Sequence, residues 1–252
     1  MCLLFLSYQT TPGYRLAVAA NRDEFLARPT APLGFLDERG TILGGRDLQG
    51  GGTWLGISAC LRFAALTNYR DPANNRAGAP SRGELVLDFL SGAMPAEEYI
   101  RHLADRAQIY NGFNLIVGDD LGLFLLSNRS SGYQRLAPGY YGLSNHLLDT
   151  PWPKVVRGKE LLRPHLQQRI NVAGVFAGLA DRHLPEDCHL PDTGVGLAWE
   201  RLLSTIFIAG DTYGTRSSAL LTVSDDNQVV FREKTHAVKP GQGDVVQLSF
   251  DP

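Results

Sequence analysis

The residue with the clearest chemical potential is Cys2. A small side chain at position 2 normally allows removal of the initiator Met, which would leave Cys2 with a free α-amine beside its thiol. The thiol titrates near roughly 8.5 and the amine near roughly 7.7–8.0, so the amine can serve as an internal base for the nucleophile. A polar run, Asn21-Arg22-Asp23-Glu24, follows the second apolar segment of the chain. Residues 2–8 and 14–20 are rich in strand formers, and Thr10-Thr11-Pro12-Gly13 between them is a turn sequence. Antiparallel pairing about that turn sets Cys2 opposite Asn21 or Arg22. In that register Arg22 lowers the thiol pKa, and Asp23 or Glu24 holds the amine.

A second strand pair is expected at 53–58 and 62–67, entered through Gly50-Gly51-Gly52, whose glycines point to a tight or closely approached backbone. This pairing puts Asn68 at a strand end, where its amide N–H could stabilise an oxyanion. Arg70, Arg76 and Arg82 flank a Pro/Asn/Gly-rich stretch, 71–80, suited to a lip over a pocket. The glycine run lacks the Lys-Ser/Thr ending of a phosphate loop, which argues against nucleotide binding. His183, Glu186, Asp187, Cys188 and His189 cluster in sequence without a standard zinc spacing, so no metal is assigned. His146 is read as a surface or hydrogen-bonded histidine rather than a haem ligand.

The elements that must position these residues are strands at both ends of the chain with helices between them. Ser81 and Glu84 have capping-box spacing ahead of a helix that stops at Gly92, and a second helix is expected over 96–106. Strands follow at 113–118, 122–127 and near 140–144. Helices are expected at 151–169 and at 172–181, the latter capped by Asn171. Residues 182–196 are a loop, and strands return at about 204–208, 218–224, 228–234 and 244–249. This order predicts a single α+β domain over residues 1–252, with terminal strands sharing a sheet covered by helices.

The 252 residues are 44% apolar and 20% charged, which supports a globular core. A formal charge of −2 offers no broad basic field, and no nucleic-acid partner is expected. The apolar start is too short for a membrane span and lacks a charged leader, so the expected location is cytoplasmic. Three cysteines make no disulfide framework and fit a reducing compartment, with Cys60 and Cys188 read as bystanders.

Several segments together resemble a known family. Met1-Cys2, Asn21-Arg22-Asp23-Glu24, Gly51-Gly52-Thr53-Trp54-Leu55-Gly56 and Thr67-Asn68-Tyr69-Arg70 occur in order. They are followed by Leu143-Ser144-Asn145, Leu148-Asp149-Thr150-Pro151-Trp152 and Tyr213-Gly214-Thr215-Arg216-Ser217-Ser218. The set is similar to the NRDE family, also called the transport and Golgi organisation protein 2 family. The resemblance implies an N-terminal nucleophile (Ntn) hydrolase fold, a four-layer αββα sandwich related to cholylglycine hydrolases and penicillin V acylases. It further implies Cys2 as nucleophile, Asn68 and Asn145 as the oxyanion asparagines, and Arg216 as a late supporting arginine. The order Asn21, Arg22, Asp23, Glu24 departs from the hydrolase pattern of Arg, then Asn, then an acid, so strand phase must decide which of the four face the nucleophile. Two functions follow. One is hydrolysis of a linear carbon–nitrogen amide bond of a small-molecule substrate, which requires no cofactor. The other is noncatalytic binding or carriage of an apolar ligand, haem or an acyl lipid, on the same scaffold.

Overall fold

In a computed structural model of the chain, residues 2–236 and 245–250 are described. The opening hairpin pairs β1 (Cys2–Thr11) with β2 (Tyr14–Phe25), and its turn uses Gly13 at φ +80°, a left-handed conformation that glycine adopts without strain. A meander follows: β3 (Thr30–Phe35), β4 (Ile42–Asp47), β5 (Leu55–Ser58) and β6 (Phe63–Asn68). Helices α1 (Gly83–Ser91) and α2 (Ala96–Arg106) precede β7 (Phe113–Asp119), β8 (Gly122–Ser127), β9 (Tyr133–Arg135) and β10 (Gly139–Leu143). Three helices come next, α3 (Pro153–Arg163), α4 (Val172–Leu179) and α5 (Leu197–Leu203). The last described elements are β11 (Tyr213–Ser224), β12 (Val229–Thr235) and β13 (Val245–Phe250).

The architecture is α+β, with two large antiparallel sheets. One has the order β10-β1-β2-β11-β12-β13, so strands from both ends of the chain share it, as expected. The other runs β3 to β9 in chain order. Alternation along β1 explains how the sheets are used: Leu4 and Leu6 point to one face, Leu3 and Phe5 to the other, and all four are buried. Leu4, Leu6 and Val18 pack with Leu55, Ala65 and Ile116 of the second sheet. Leu3 and Phe5 pack instead with Val155 and Leu162 of α3 and Val175 and Leu179 of α4. On the second sheet, Ala64, Leu115 and Phe124 meet Leu85 and Phe89 of α1 and Ile100 and Leu103 of α2. Both faces of the central strands are thus covered, which is why they read as unbroken apolar runs.

Some elements depart from expectation. The predicted capping box of α1 does not form: Arg82 holds the cap position without a side-chain bond, and the Glu84 carboxylate accepts instead from the Tyr110 hydroxyl at 2.7 Å. The helix expected at 151–169 is α3 to Arg163 and a π-helical turn over 164–168, beginning at Pro164. Asn171 caps α4 as expected, accepting from the Gly174 N–H at 3.1 Å. The strand expected at 204–208 is corrected to an irregular segment behind α5. Its apolar residues are buried, but its polar groups bond outward, Phe207 N–H to the Asp181 carbonyl and the Ile206 carbonyl to Asn21. β3, β4, β9 and α5 lie outside the expected elements. Residue 244 of the last expected strand lies outside the described residues.

Candidate functional site

The hairpin register settles the strand phase. Cys2 pairs with Arg22 and Leu3 with Asn21, so Cys2 and Arg22 share the inter-sheet face while Asn21 points to the helices. A cavity of about 350 Å³ opens at this end of the sheets. Cys2, Arg22, Glu24 and Asn68 line it together. A larger opening, about 740 Å³, lies at the turn end of the hairpin, and its lining carries no cysteine, histidine or lysine.

Each wall of the smaller cavity has a local cause. The Arg22 guanidinium lies 4.1 Å from the Trp54 ring centroid and donates to the Thr30 hydroxyl at 2.9 Å, which fixes its direction. Gly52 packs against the start of α1 so closely that a Cβ would lie 2.3 Å from the Gly83 carbonyl carbon. That contact brings Ser81 and Arg82, at the end of the predicted lip, onto the cavity opposite Cys2. Arg28 and Asp47, also in the lining, pair with each other at 2.7 Å. No acidic partner within ion-pair distance is found for Arg22 or Arg82 among the described residues, although Glu24, in the same lining, attracts Arg82 from further off.

The other predicted residues support this centre from outside the lining. The Asn145 Nδ2 donates to the Asn68 backbone carbonyl at 3.0 Å, and the Asn145 carbonyl accepts from the Arg70 N–H at 2.7 Å. Asn145 therefore holds the end of β6, and the Asn68 amide, with no bond to another described residue, is the one that faces the cavity. Asn21 is fully buried on the helix side, donating to the carbonyls of Leu179 and Ile206, both at 2.8 Å, and accepting from Ser218. Arg216 sits at a bulge of β11, between Thr215, paired with Asp23, and Ser217, paired with Arg22. Its guanidinium clamps the carbonyls of Phe25, Leu26 and Arg28 at 2.7–3.1 Å.

Asp23 is buried, and its Oδ1 accepts from the Thr215 hydroxyl at 2.7 Å. Burial raises its pKa, against the attraction of Lys154 and Arg70. Burial likewise pushes the Cys2 thiol up to about 11, against the pull of Arg22. Behind this pair lies a charged group that the sequence reading did not assemble. Arg70 and Glu200 form a buried ion pair at 2.7 Å, and Glu200 also accepts from Thr193. Lys154, in the first turn of α3, is only 3% exposed. No local motif signals this group, because its members come from segments far apart in the chain. The cue available was a charged residue, Lys154, on the core-facing side of a helix.

His146 stacks between Tyr69 and Trp152, and its Nδ1 lies 2.9 Å from the Thr150 hydroxyl. Glu186, Cys188 and His189 are exposed, with ligand-type atoms within 4.8 Å of one another, while Asp187 pairs with Arg201.

The Transport and Golgi organisation 2 family description matches residues 1–237. The chain is 36% identical to the Transport and Golgi organization protein 2 homolog of Bos taurus and 35% identical to that of Homo sapiens, with 93% of each chain covered in both cases. It is 28% identical to the Drosophila melanogaster Transport and Golgi organization protein 2. Among solved structures, it is similar to the Caenorhabditis elegans N-acylethanolamine-hydrolyzing acid amidase ortholog, with TM-score 0.52 and 11% identity over 87% of this chain and 92% of the other. That likeness is one of fold, the Ntn-hydrolase-like arrangement. The chain belongs to the Transport and Golgi organisation 2 family.

Proposed function

For this member of the Transport and Golgi organisation 2 family, we propose an N-terminal-nucleophile cysteine hydrolase that cleaves a linear carbon–nitrogen amide bond of a small molecule. We read its layers in the order α, β, β, α, with α3 and α4 outside one sheet and α1 and α2 outside the other. The observation that carries the proposal is the convergence of Cys2, Arg22, Glu24 and Asn68 on one cavity at the end of β1. The fold shared with an amidase supports it.

In this mechanism Met1 is removed and the Cys2 thiol transfers its proton to its own α-amine as the sulfur attacks the amide carbon. The Asn68 amide donates to the oxyanion. Collapse breaks the carbon–nitrogen bond, and the leaving amine takes the proton from the α-ammonium, leaving a thioester on Cys2. The α-amine then removes a proton from water as it attacks the thioester, and the carboxylic acid departs with the thiol restored. Arg22 and Arg82, which have no ion-pair partner among the described residues, favour a substrate carrying a negative group.

One observation favours the second function, a carrier of an apolar ligand such as haem or an acyl lipid. Burial holds the thiol up at about 11 even against the terminal ammonium of the chain and Arg22, so Cys2 is protonated at neutral pH and is a poor nucleophile. The test is screening against N-acyl amides with neutral and anionic leaving groups, alongside intact mass measurement. The hydrolase predicts a mass lacking Met1 and turnover that Cys2→Ser abolishes while the thermal transition stays. A chain that keeps Met1, or turnover indifferent to Cys2→Ser, would sink it in favour of the carrier.

A further inference from the structure

Away from the Cys2 cavity, a carboxylate, a thiol and an imidazole come together on one exposed turn. The ligand-type atoms of Glu186, Cys188 and His189 all lie within 4.8 Å of one another. Their spacing in the sequence matches no standard zinc motif, and it is the turn that assembles them. Asp187–His189 form a 3₁₀ turn behind an extended Glu186, and the His189 N–H donates to the Glu186 carbonyl at 3.0 Å, which brings these two residues to one side. The Cys188 Sγ lies 3.7 Å from the Glu186 Oε2 and 3.8 Å from the His189 Nδ1. Asp187, the remaining member of the run, is instead gripped by Arg201 of α5, whose Nε donates to Oδ1 at 2.8 Å and whose Nη2 donates to Oδ2 at 2.5 Å. The turn is therefore tied to a helix without drawing on the three donors.

We propose that Glu186, Cys188 and His189 bind one Zn²⁺ ion, with water in the fourth position. The set mixes a soft thiolate, an imidazole and a hard carboxylate, a combination that zinc accepts and that calcium and magnesium, which take oxygen ligands, do not. Zinc bonds of about 2.3 Å to sulfur and about 2.0–2.1 Å to nitrogen or oxygen, set at tetrahedral angles, hold the sulfur about 3.5 Å from either partner. The observed 3.7 and 3.8 Å are within a few tenths of that edge, so small side-chain rotations complete the site. The thiol gives its proton to solvent as the zinc–sulfur bond forms, and the imidazole binds through Nδ1 with its own proton on Nε2. Nothing is oxidised or reduced. His189 also lines a cavity of about 390 Å³ with His183, Arg157 and Glu160, which places the ion at its rim. No residue of the hydrolytic steps takes part, so this site stands or falls independently of them.

The test is titration of the reduced, metal-free full chain with Co²⁺, which occupies zinc sites and reports their ligands by its absorption. The difference spectrum between the unsubstituted protein and Cys188→Ser should contain a thiolate-to-cobalt band in the near ultraviolet and the intense visible bands of a tetrahedral ion, and Zn²⁺ should bleach both. Cys2 and Cys60 are common to the two proteins and cancel. Glu186→Gln and His189→Gln should weaken cobalt binding by about tenfold or more, since even a partner outside the ligand set is worth that much. All three side chains are exposed, so their substitution leaves the core as it is. Zn²⁺ should also raise the thermal transition of the unsubstituted protein and not that of Cys188→Ser. A flat difference spectrum, or one with only the weak visible bands of an octahedral oxygen and nitrogen set, would overturn the proposal. Cobalt binding as tight in Glu186→Gln and His189→Gln as in the parent would do the same.

Discussion

At the scale of the residue, the main question is how a thiol as buried as Cys2 becomes reactive. At pH 7.5 a thiol with a pKa of about 11 is thiolate in only about one molecule in three thousand. Arg22 pairs with it in the strand register, and neither its attraction nor that of the terminal ammonium overcomes burial. The terminal ammonium already pulls the thiol down, and removal of Met1 brings that charge onto Cys2 itself, where a charge so close shifts a pKa by about 1–3 units. Protein begun at Cys2 should therefore react with iodoacetamide at pH 7.5 about tenfold faster than protein retaining Met1, or more. Rates read by mass spectrometry in a Cys60→Ser, Cys188→Ser background, which removes the two exposed thiols, check this. Equal rates in the two forms would mean that the α-amine does not activate the sulfur.

At the scale of the element, the local parts of this site were legible and its distant parts were not. The hairpin turn fixed the phase of β1 against β2, and with it the pairing of Cys2 with Arg22. The glycine run announced a close approach, and Gly52 makes one against Gly83. By contrast, Asn21 and Asn145 have the residue types of an active site, yet their amides tie backbone segments together; only a known partner carbonyl distinguishes the two uses. β3 and β4 do not read as strands in the sequence because their apolar residues are interrupted by Pro32, Gly34, Gly44 and Gly45, which break the alternation that marks a strand. α5 is seven residues long, too short for its apolar periodicity to stand out. The placement of Lys154 depends on a similar long-range fit. Gly158, one turn further along α3, lets the helix lie against β1, where a Cβ would come within 2.1 Å of the Phe5 ring. Alanine favours a helix by about 1 kcal/mol, but forcing a methyl against a fully buried ring costs about 1–3 kcal/mol. Gly158→Ala should therefore lower stability by up to about 2 kcal/mol, measured by urea unfolding. A stabilised variant would show that α3 can move off the sheet freely.

At the scale of the whole molecule, one polar chain stitches the late strands to the early ones and to the outer helices. The His236 Nε2 lies 2.9 Å from the Ser218 hydroxyl, which donates to the Asn21 Oδ1 at 2.6 Å, and Asn21 in turn donates to the carbonyls of Leu179 and Ile206. Since the Ser218 proton is committed to Asn21, Ser218 must accept from His236, which requires a proton on Nε2. Burial, with Lys234 and Arg182 nearby, lowers the His236 pKa from its ordinary 6.5 to about 4. The unfolded chain then takes up this proton at a higher pH than the folded one. Stability from the neutral ring is present above pH 6.5 and is lost as the pH falls toward 4. His236→Gln keeps an N–H donor for Ser218 and removes the titration. The unfolding midpoint of the parent should consequently fall further than that of His236→Gln between pH 6.5 and 4, because the carboxylates that also titrate there are common to both proteins. Parallel curves for the two would show that the ring takes up its proton at the same pH folded and unfolded, and that burial among these partners does not hold it neutral.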